Sequence, residues 1–125
     1  MILITFGLSN ADEGDRLRFS KRVLPELRDL DEVQRADRTE AMTTEEGVKG
    51  FATLLGFLTA EVTRESLTEF FGWMGDRFAD KALKVVVKVG EKQIELEATS
   101  RSELDDLEQR ATRLLAAMDD DSTTS

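Results

Sequence analysis

Residues 47–80 constrain the fold of this chain more than any other stretch, because they hold most of its aromatic side chains. The stretch reads GVKGFATLLGFLTAEVTRESLTEFFGWMGDRFAD and contains five of the seven Phe residues and the single Trp. Aromatic side chains bury large apolar areas and dominate the energetics of cores and interfaces. We therefore expect this stretch to supply much of the core or of a contact surface.

The spacing of apolar residues predicts two helices within this stretch. The first helix carries a stripe at helical intervals, formed by Phe51, Leu54, Leu55, Leu58 and Val62. Phe57 lies off that stripe, so the helix is apolar on two sides, as in a helix that is buried between layers or faces a partner. The second helix repeats the spacing over residues 67–78, with Trp73 beside its stripe.

Four side chains of these two helices are our candidate partner-binding residues: Phe51, Phe57, Leu58 and Trp73. Trp is frequent among the residues that dominate interface energies, although packing in the core explains Trp73 equally well. The apolar run over residues 50–60 is too short to cross a membrane, because a spanning helix needs about 20 residues. A peripheral membrane contact through Phe51, Phe57 and Leu58 is an alternative interpretation.

Several residue types that commonly carry catalysis or bind metals are missing, since the chain has no His, Cys or Tyr. The formal net charge of −9 disfavours binding to nucleic acids and to anionic membranes. The opening residues MILITF show no charged leader and no small-residue cleavage pattern, which predicts a cytoplasmic location. We therefore expect a non-enzymatic protein with no cofactor and no catalytic or metal-binding residue.

The remaining segments predict strands and helices in alternation. The predicted elements are a strand at residues 2–6, a helix capped by Ser9 or Asn10 and interrupted at Pro25, an edge strand within residues 31–38, a hairpin over residues 83–98, and a last helix from Ser100. The order β-α-β-α-α-β-β-α predicts an α+β fold with helices packed on a mixed four-stranded sheet. Residues 1–118 should form a single domain, and residues 119–125 a disordered acidic tail.

One acidic group offers a chemical alternative. Asp12, Glu13 and Asp15 follow the first predicted strand, where clustered carboxylates can hold Mg²⁺. The same residues are favourable at a helix N-terminus, because the helix dipole is positive there. We favour the helix interpretation and keep a carboxylate-dependent enzyme or Mg²⁺ sensor as an alternative function.

The chain resembles a known bacterial family in the order of its motifs. These motifs are GVKG before the apolar segment, FFGWMGDRF, VVVKVGEKQIEL and SRSEL. They resemble the effector-associated constant component proteins of bacterial conflict systems over about residues 1–118. Members of that family typically carry G-x-K-G and a Trp in the second helix, matched here by Gly47, Lys49, Gly50 and Trp73.

The resemblance implies a non-enzymatic adaptor component that associates with effector or adaptor proteins encoded nearby, in antiviral or programmed-death-like responses. It supplies no catalytic residue. The predicted hairpin leaves a strand edge through which copies of the chain could also associate by strand addition. We therefore expect the partners to be other proteins, with homo-oligomer formation left open.

Overall fold

The structure, a computed structural model, describes residues 2–39, 56–78, 80–98 and 101–124, with the side chains of the last stretch described over residues 102–117. Its elements follow the chain as β1 (Ile2–Leu8), α1 (Glu13–Arg28), β2 (Val33–Arg38), β3 (Leu58–Val62), α2 (Leu67–Arg77), β4 (Leu83–Val89), β5 (Lys92–Ala98) and α3 (Arg101–Thr124). A 3-10 turn, Arg64–Ser66, leads into α2.

The five strands form one antiparallel sheet in the order β2-β3-β1-β4-β5. Strands β1 and β2 are parallel with β3 between them, and β3 and β4 are parallel with β1 between them. These two interleaved split β-α-β units are the arrangement of ferredoxin-like folds, extended here by β5 and α3. The α+β class is confirmed, whereas the predicted mixed sheet of four strands is wrong.

Helices α1, α2 and α3 pack on one face of this sheet, and the core lies between them and the strands. The strand residues on this face alternate along each strand and are buried: Ile2, Ile4, Phe6, Leu58, Ala60, Val62, Leu83, Val85, Val87 and Val89. The Phe6 ring contacts those of Phe19, Phe70 and Phe78 at centroid distances of 6.3, 6.5 and 6.0 Å. Much of the aromatic burial expected of residues 47–80 thus occurs where α1 and α2 meet β1.

The prediction of a helix through Leu58 and Val62 is wrong, because Leu58–Val62 is strand β3. Gly56 has φ of +86°, outside the helical region, so a helix cannot run through it into β3. Leu58, Ala60 and Val62 pair with Phe6, Ile4 and Ile2, and all six side chains are buried on the same face. The period-2 pattern therefore prevails over the helical spacing. Residues 51–55 of the predicted helix lie outside the described residues.

Two helix boundaries differ from those predicted. Asp12 caps α1 by accepting from the backbone N–H of Asp15 at 2.7 Å, in place of Ser9 or Asn10. Pro25 lies inside α1 and does not divide it. Helix α3 continues to Thr124, so residues 119–124, predicted to belong to a disordered tail, are helical. No Gly or Pro interrupts its sequence.

The predicted hairpin is present as β4 and β5. Val89 pairs with Lys92 across a two-residue turn, and Gly90 in this turn has φ of +61°. Gly adopts positive φ at little cost, which is why it is favoured at the first position of such turns. The outer face pairs lysines with glutamates, as in the Lys84–Glu95 ion pair at 3.1 Å.

The sheet face opposite helices α1, α2 and α3 is also buried in part. Thr5, Thr59 and Val86 are each at most 4% exposed. The hydroxyl of Thr59 hydrogen-bonds with those of Thr5 at 2.8 Å and Thr39 at 3.1 Å. Buried hydroxyls need such partners, because an unpaired one costs about 1–3 kcal/mol.

Candidate partner-binding groove

Positive charge is concentrated at one end of this acidic molecule. Helix α1 and strand β2 together carry seven basic residues and four acidic ones. Strand β5 and helix α3, which lie at the other end of the sheet, carry four basic residues and nine acidic ones. An anionic partner is therefore attracted to the α1–β2 end, whereas the net charge of −9 repels it from the chain as a whole.

A groove of about 470 Å³ runs between α1 and β2 at this end. It is lined by apolar and charged side chains from both elements: Leu17, Ser20, Lys21, Leu24, Pro25, Arg28, Asp37 and Arg38. Leu17 is 39% exposed, and no other large apolar side chain in the described parts of the chain is classed as exposed. The groove therefore combines apolar surface with positive charge.

The periodicity of α1 places these side chains. Phe19, Val23 and Leu27 are buried on the face that packs against the sheet. A second stripe at intervals of three and four residues contains Leu17, Lys21, Leu24 and Arg28, all of which line the groove. Pro25 has no N–H, so it cannot make the usual helical bond to the carbonyl of Lys21.

Two side chains of the groove bond to backbone groups at the outer edge of β2. Thr39 donates its N–H to the carbonyl of Phe57 at 2.9 Å, so alternation along β2 points the peptide groups of Ala36 and Arg38 away from β3. Arg28 Nε donates to the Ala36 carbonyl at 3.1 Å, and Asp37 Oδ1 accepts from the Arg38 N–H at 2.8 Å. A ligand of this groove therefore meets side chains and not an open strand edge.

Two cations of the groove have no counter-charge within the described chain. Lys21 and Arg38 are exposed and make no ion pair there. Arg28 forms an ion pair with Asp37 at 3.3 Å. A further cavity of about 380 Å³, lined by Arg18, Lys21 and Arg22, continues the basic surface along α1. Carboxylates of a ligand can therefore form ion pairs with these basic side chains.

An ion pair between helices α1 and α2 holds α1 in place. Arg77 donates to both carboxylate oxygens of Glu26, at 2.8 and 3.0 Å. The hydrogen bond from Arg77 lowers the pKa of Glu26 below its usual value of 4.5, and the same bond raises the pKa of Arg77. Both side chains are partly exposed, so the pair is a positioning contact of modest strength.

Three of the four residues predicted to bind a partner lie within the described parts of the chain, and two of them are buried. Phe57 and Leu58 are 1% and 0% exposed, so neither presents surface to a partner. Trp73 is half-buried and packs on the rings of Phe70 and Phe78, at 5.9 and 5.4 Å between centroids. Phe51 lies outside the described residues. Contact of a partner with Trp73 stays a prediction.

The residues of the acidic group have local partners. Asp12 caps α1, and Asp15 forms an ion pair with Arg18. Within the described ranges, no group of three or more His, Cys, Asp or Glu residues could hold a metal ion. The same part of the chain contains no helix that is both long and apolar enough to cross a bilayer.

The groove itself was not predicted from the sequence. Its signal was present on α1, where leucines alternate with basic residues at helical spacing outside the buried stripe. The groove residues Asp37 and Arg38 of β2 could not be recognised from the sequence, because only the sheet brings them beside α1. Comparison of the chain with protein-family models, curated proteins and solved structures gives no match.

Proposed function

We propose that this chain is a non-enzymatic interaction component that binds an acidic, partly apolar segment of another protein in the α1–β2 groove. The observation that carries the proposal is the position of Lys21 and Arg38, two cations without counter-charges in the described chain, beside the exposed Leu17. On a chain of net charge −9, such a surface selects for carboxylates and for apolar side chains together.

The shape of the groove favours recognition through side chains. The leucines and Pro25 give a binding segment apolar contact, and Lys21, Arg28 and Arg38 surround that contact with charge. Interfaces commonly combine an apolar centre with a polar rim in this way. An amphipathic helix with Leu and Glu on one face satisfies both requirements, since its side chains repeat at the same intervals as those of α1.

The resemblance to effector-associated constant component proteins supplies a setting for this proposal. In that setting the partner is an effector or adaptor protein of a bacterial conflict system, and both proteins act in the cytoplasm. Trp73 is a second contact candidate, because its half-buried ring lies on α2. The burial of Phe57 and Leu58 and the capping role of Asp12 give the membrane and Mg²⁺ alternatives no support.

The proposal is tested with a labelled amphipathic helical peptide that carries Leu and Glu on one face. Reversing two charges of the groove, with Lys21→Glu and Arg38→Glu together, should weaken binding at least about tenfold, equivalent to about 1.4 kcal/mol. Leu17→Asp should weaken it as well, since it removes the exposed apolar contact. Fluorescence anisotropy at two salt concentrations measures the affinities.

A matched control reverses two exposed charges at the other end of the sheet, with Lys92→Glu and Arg113→Glu. It changes the net charge by the same amount, so non-specific attraction would weaken equally in both double variants. Equal affinities of the two double variants would refute the groove as the binding site. Trp73→Ala tests the second contact in the same assay and in pull-downs against neighbouring gene products.

A further inference from the structure

The outer edge of β5 differs from that of β2, because no described residue bonds to its outward peptide groups. Ser9 donates its N–H to the Ala82 carbonyl at 2.9 Å, which fixes the alternation of hydrogen bonds between β1 and β4. Lys84, Val86 and Lys88 therefore bond to β1, and the residues between them bond to β5. On β5 the peptide groups of Gln93, Glu95 and Glu97 consequently point away from the sheet.

No described side chain closes this edge. On β2, Arg28 and Asp37 bond to the outward carbonyl of Ala36 and the outward N–H of Arg38. On β5 no comparable hydrogen bond reaches Gln93, Glu95 or Glu97 from the described parts of the chain. A row of unpaired N–H and C=O groups is a template for pairing with another strand.

The side chains of β5 define what that strand must carry. Gln93, Glu95 and Glu97 are exposed and lie on the sheet face opposite α1, α2 and α3, where Glu95 also pairs with Lys84 of the neighbouring strand. Ile94 and Leu96 lie on the other face, where they are half-buried against the core. We propose that the β5 edge binds an extended basic segment of a partner protein as a sixth strand, with Lys or Arg beside the glutamates and apolar residues beside Ile94 and Leu96.

Charge argues against a second copy of this chain as the occupant. Pairing β5 with β5 of another molecule places Gln93, Glu95 and Glu97 next to the same three residues on the same face, so that glutamates lie next to glutamates. Like charges on directly opposed strand residues are destabilising. Pairing β5 with β2 of another molecule is opposed by Arg28 and Asp37, which already bond to the outward carbonyl of Ala36 and the outward N–H of Arg38. A foreign basic strand meets neither obstacle.

This surface is separate from the α1–β2 groove. Strands β2 and β5 are the two outer strands of the sheet, so occupation of one leaves the other accessible. The groove selects an acidic segment and the β5 edge a basic one. A failure of either proposal therefore leaves the other standing.

The test uses the full chain and a synthetic peptide that alternates Lys with Val, with a peptide that alternates Glu with Val as the control probe. Backbone amide exchange is followed by NMR. Binding as a sixth strand should slow exchange of the Gln93 and Glu95 amides at least about tenfold, because they become hydrogen-bonded. Unchanged exchange of both amides at saturating Lys-Val peptide would overturn the proposal.

Glu95→Pro removes one outward N–H without removing a bond to β4, a position where an edge strand tolerates Pro. This substitution should weaken the binding of the Lys-Val peptide at least about tenfold. If Glu95→Pro does not fold, Glu95→Lys with Glu97→Lys serves instead and should reverse the preference toward the Glu-Val peptide. Retained preference for the Lys-Val peptide in that variant would also overturn the proposal.

Discussion

Arg28 of α1 and Asp37 of β2 form an ion pair of 3.3 Å that lies along the outer edge of the sheet. Each residue also bonds to a backbone group of that edge, Arg28 to the Ala36 carbonyl and Asp37 to the Arg38 N–H. Covering an edge with charged side chains is one way in which proteins prevent unwanted strand pairing. The two residues thus oppose strand addition at Ala36 and Arg38 while they line the groove.

Removing Arg28 should open the edge of β2. Arg28→Ala leaves the Ala36 carbonyl without its donor, and the open edge can then pair with β5 of another molecule. Sedimentation velocity over a range of concentrations should show more association than for the native chain. Arg18→Ala removes the same charge from an exposed position of the same helix and should leave the association state unchanged. An identical sedimentation profile for Arg28→Ala and the native chain would contradict the prediction.

Glu26→Gln should make stability less dependent on pH. Because Arg77 lowers the pKa of Glu26 in the folded chain, the unfolded chain binds more protons and the pair adds stability as the pH rises. Its contribution is complete above the usual pKa of 4.5 and is lost as the pH falls through the lowered value. Because the Glu26 and Arg77 side chains are partly exposed, Glu26→Gln should lower the free energy of unfolding at pH 7 by only about 0.5–1 kcal/mol.

Urea unfolding at pH 7 and at pH 3 measures this difference. The difference in free energy of unfolding between the native chain and Glu26→Gln should be smaller at pH 3 than at pH 7. Glu91→Gln, at the exposed turn of the hairpin, is the control and should differ little from the native chain at either pH. A difference of constant size would show that Glu26 acts through something other than its charge.

The backbone of Gly7 lies close to the ring of Phe57. A Cβ at Gly7 would lie 2.7 Å from the Phe57 ring, closer than real side chains pack. Gly7→Ala should therefore lower the free energy of unfolding by about 1–3 kcal/mol. Combining it with Phe57→Leu should cost less than the sum of the two single changes, because the shorter side chain makes room.

Gly72 provides the control for this prediction, since a Cβ there meets no atom within 4 Å. Gly72 lies in α2, and Gly72→Ala should stabilise the protein by about 0.5–1 kcal/mol because Ala favours the helix. Thermal and urea unfolding measure both. Equal effects of Gly7→Ala and Gly72→Ala would show that the Phe57 ring does not restrict Gly7.

Thr59 should contribute more to stability than Thr5. Thr59→Val leaves two buried hydroxyls, those of Thr5 and Thr39, without their partner, whereas Thr5→Val removes one end of the chain of hydrogen bonds. Each unpaired hydroxyl costs about 1–3 kcal/mol, so Thr59→Val is the more destabilising change in urea unfolding. Replacing all three residues by Val should recover part of the loss. A larger cost for Thr5→Val would refute this order.

The predictions from the sequence succeeded where the local pattern and the tertiary environment agree. In residues 83–98 the apolar residues alternate on both sides of a Gly-containing turn, and the hairpin forms as predicted. In residues 58–62 two patterns compete. Leu58 and Val62 fit a helical stripe, but Leu58, Ala60 and Val62 also fit a strand, and only their pairing with β1 makes the strand favourable.

The groove shows the same division. Its leucines and basic residues on α1 could be recognised from their spacing, whereas Asp37 and Arg38 come from a strand that lies beside α1 only through the order of the sheet. The predicted contact residues Phe57 and Leu58 are both buried, Leu58 because β3 is an inner strand and Phe57 because its ring lies against Gly7 of β1. Aromatic composition alone does not distinguish a core from an interface.

The sequence by itself determined the α+β class, the hairpin, the existence of helices α1, α2 and α3, and the acidic charge, because each depends on residues close together in the chain. The tertiary structure decided the strand order, the identity of β3 and the opposite character of the two sheet edges. Those depend on pairing and burial between distant segments, such as β1 with β3, and on the position of Arg28 beside β2. Local spacing does not reveal such contacts, because the free energy that selects them comes from burial and pairing in the assembled fold.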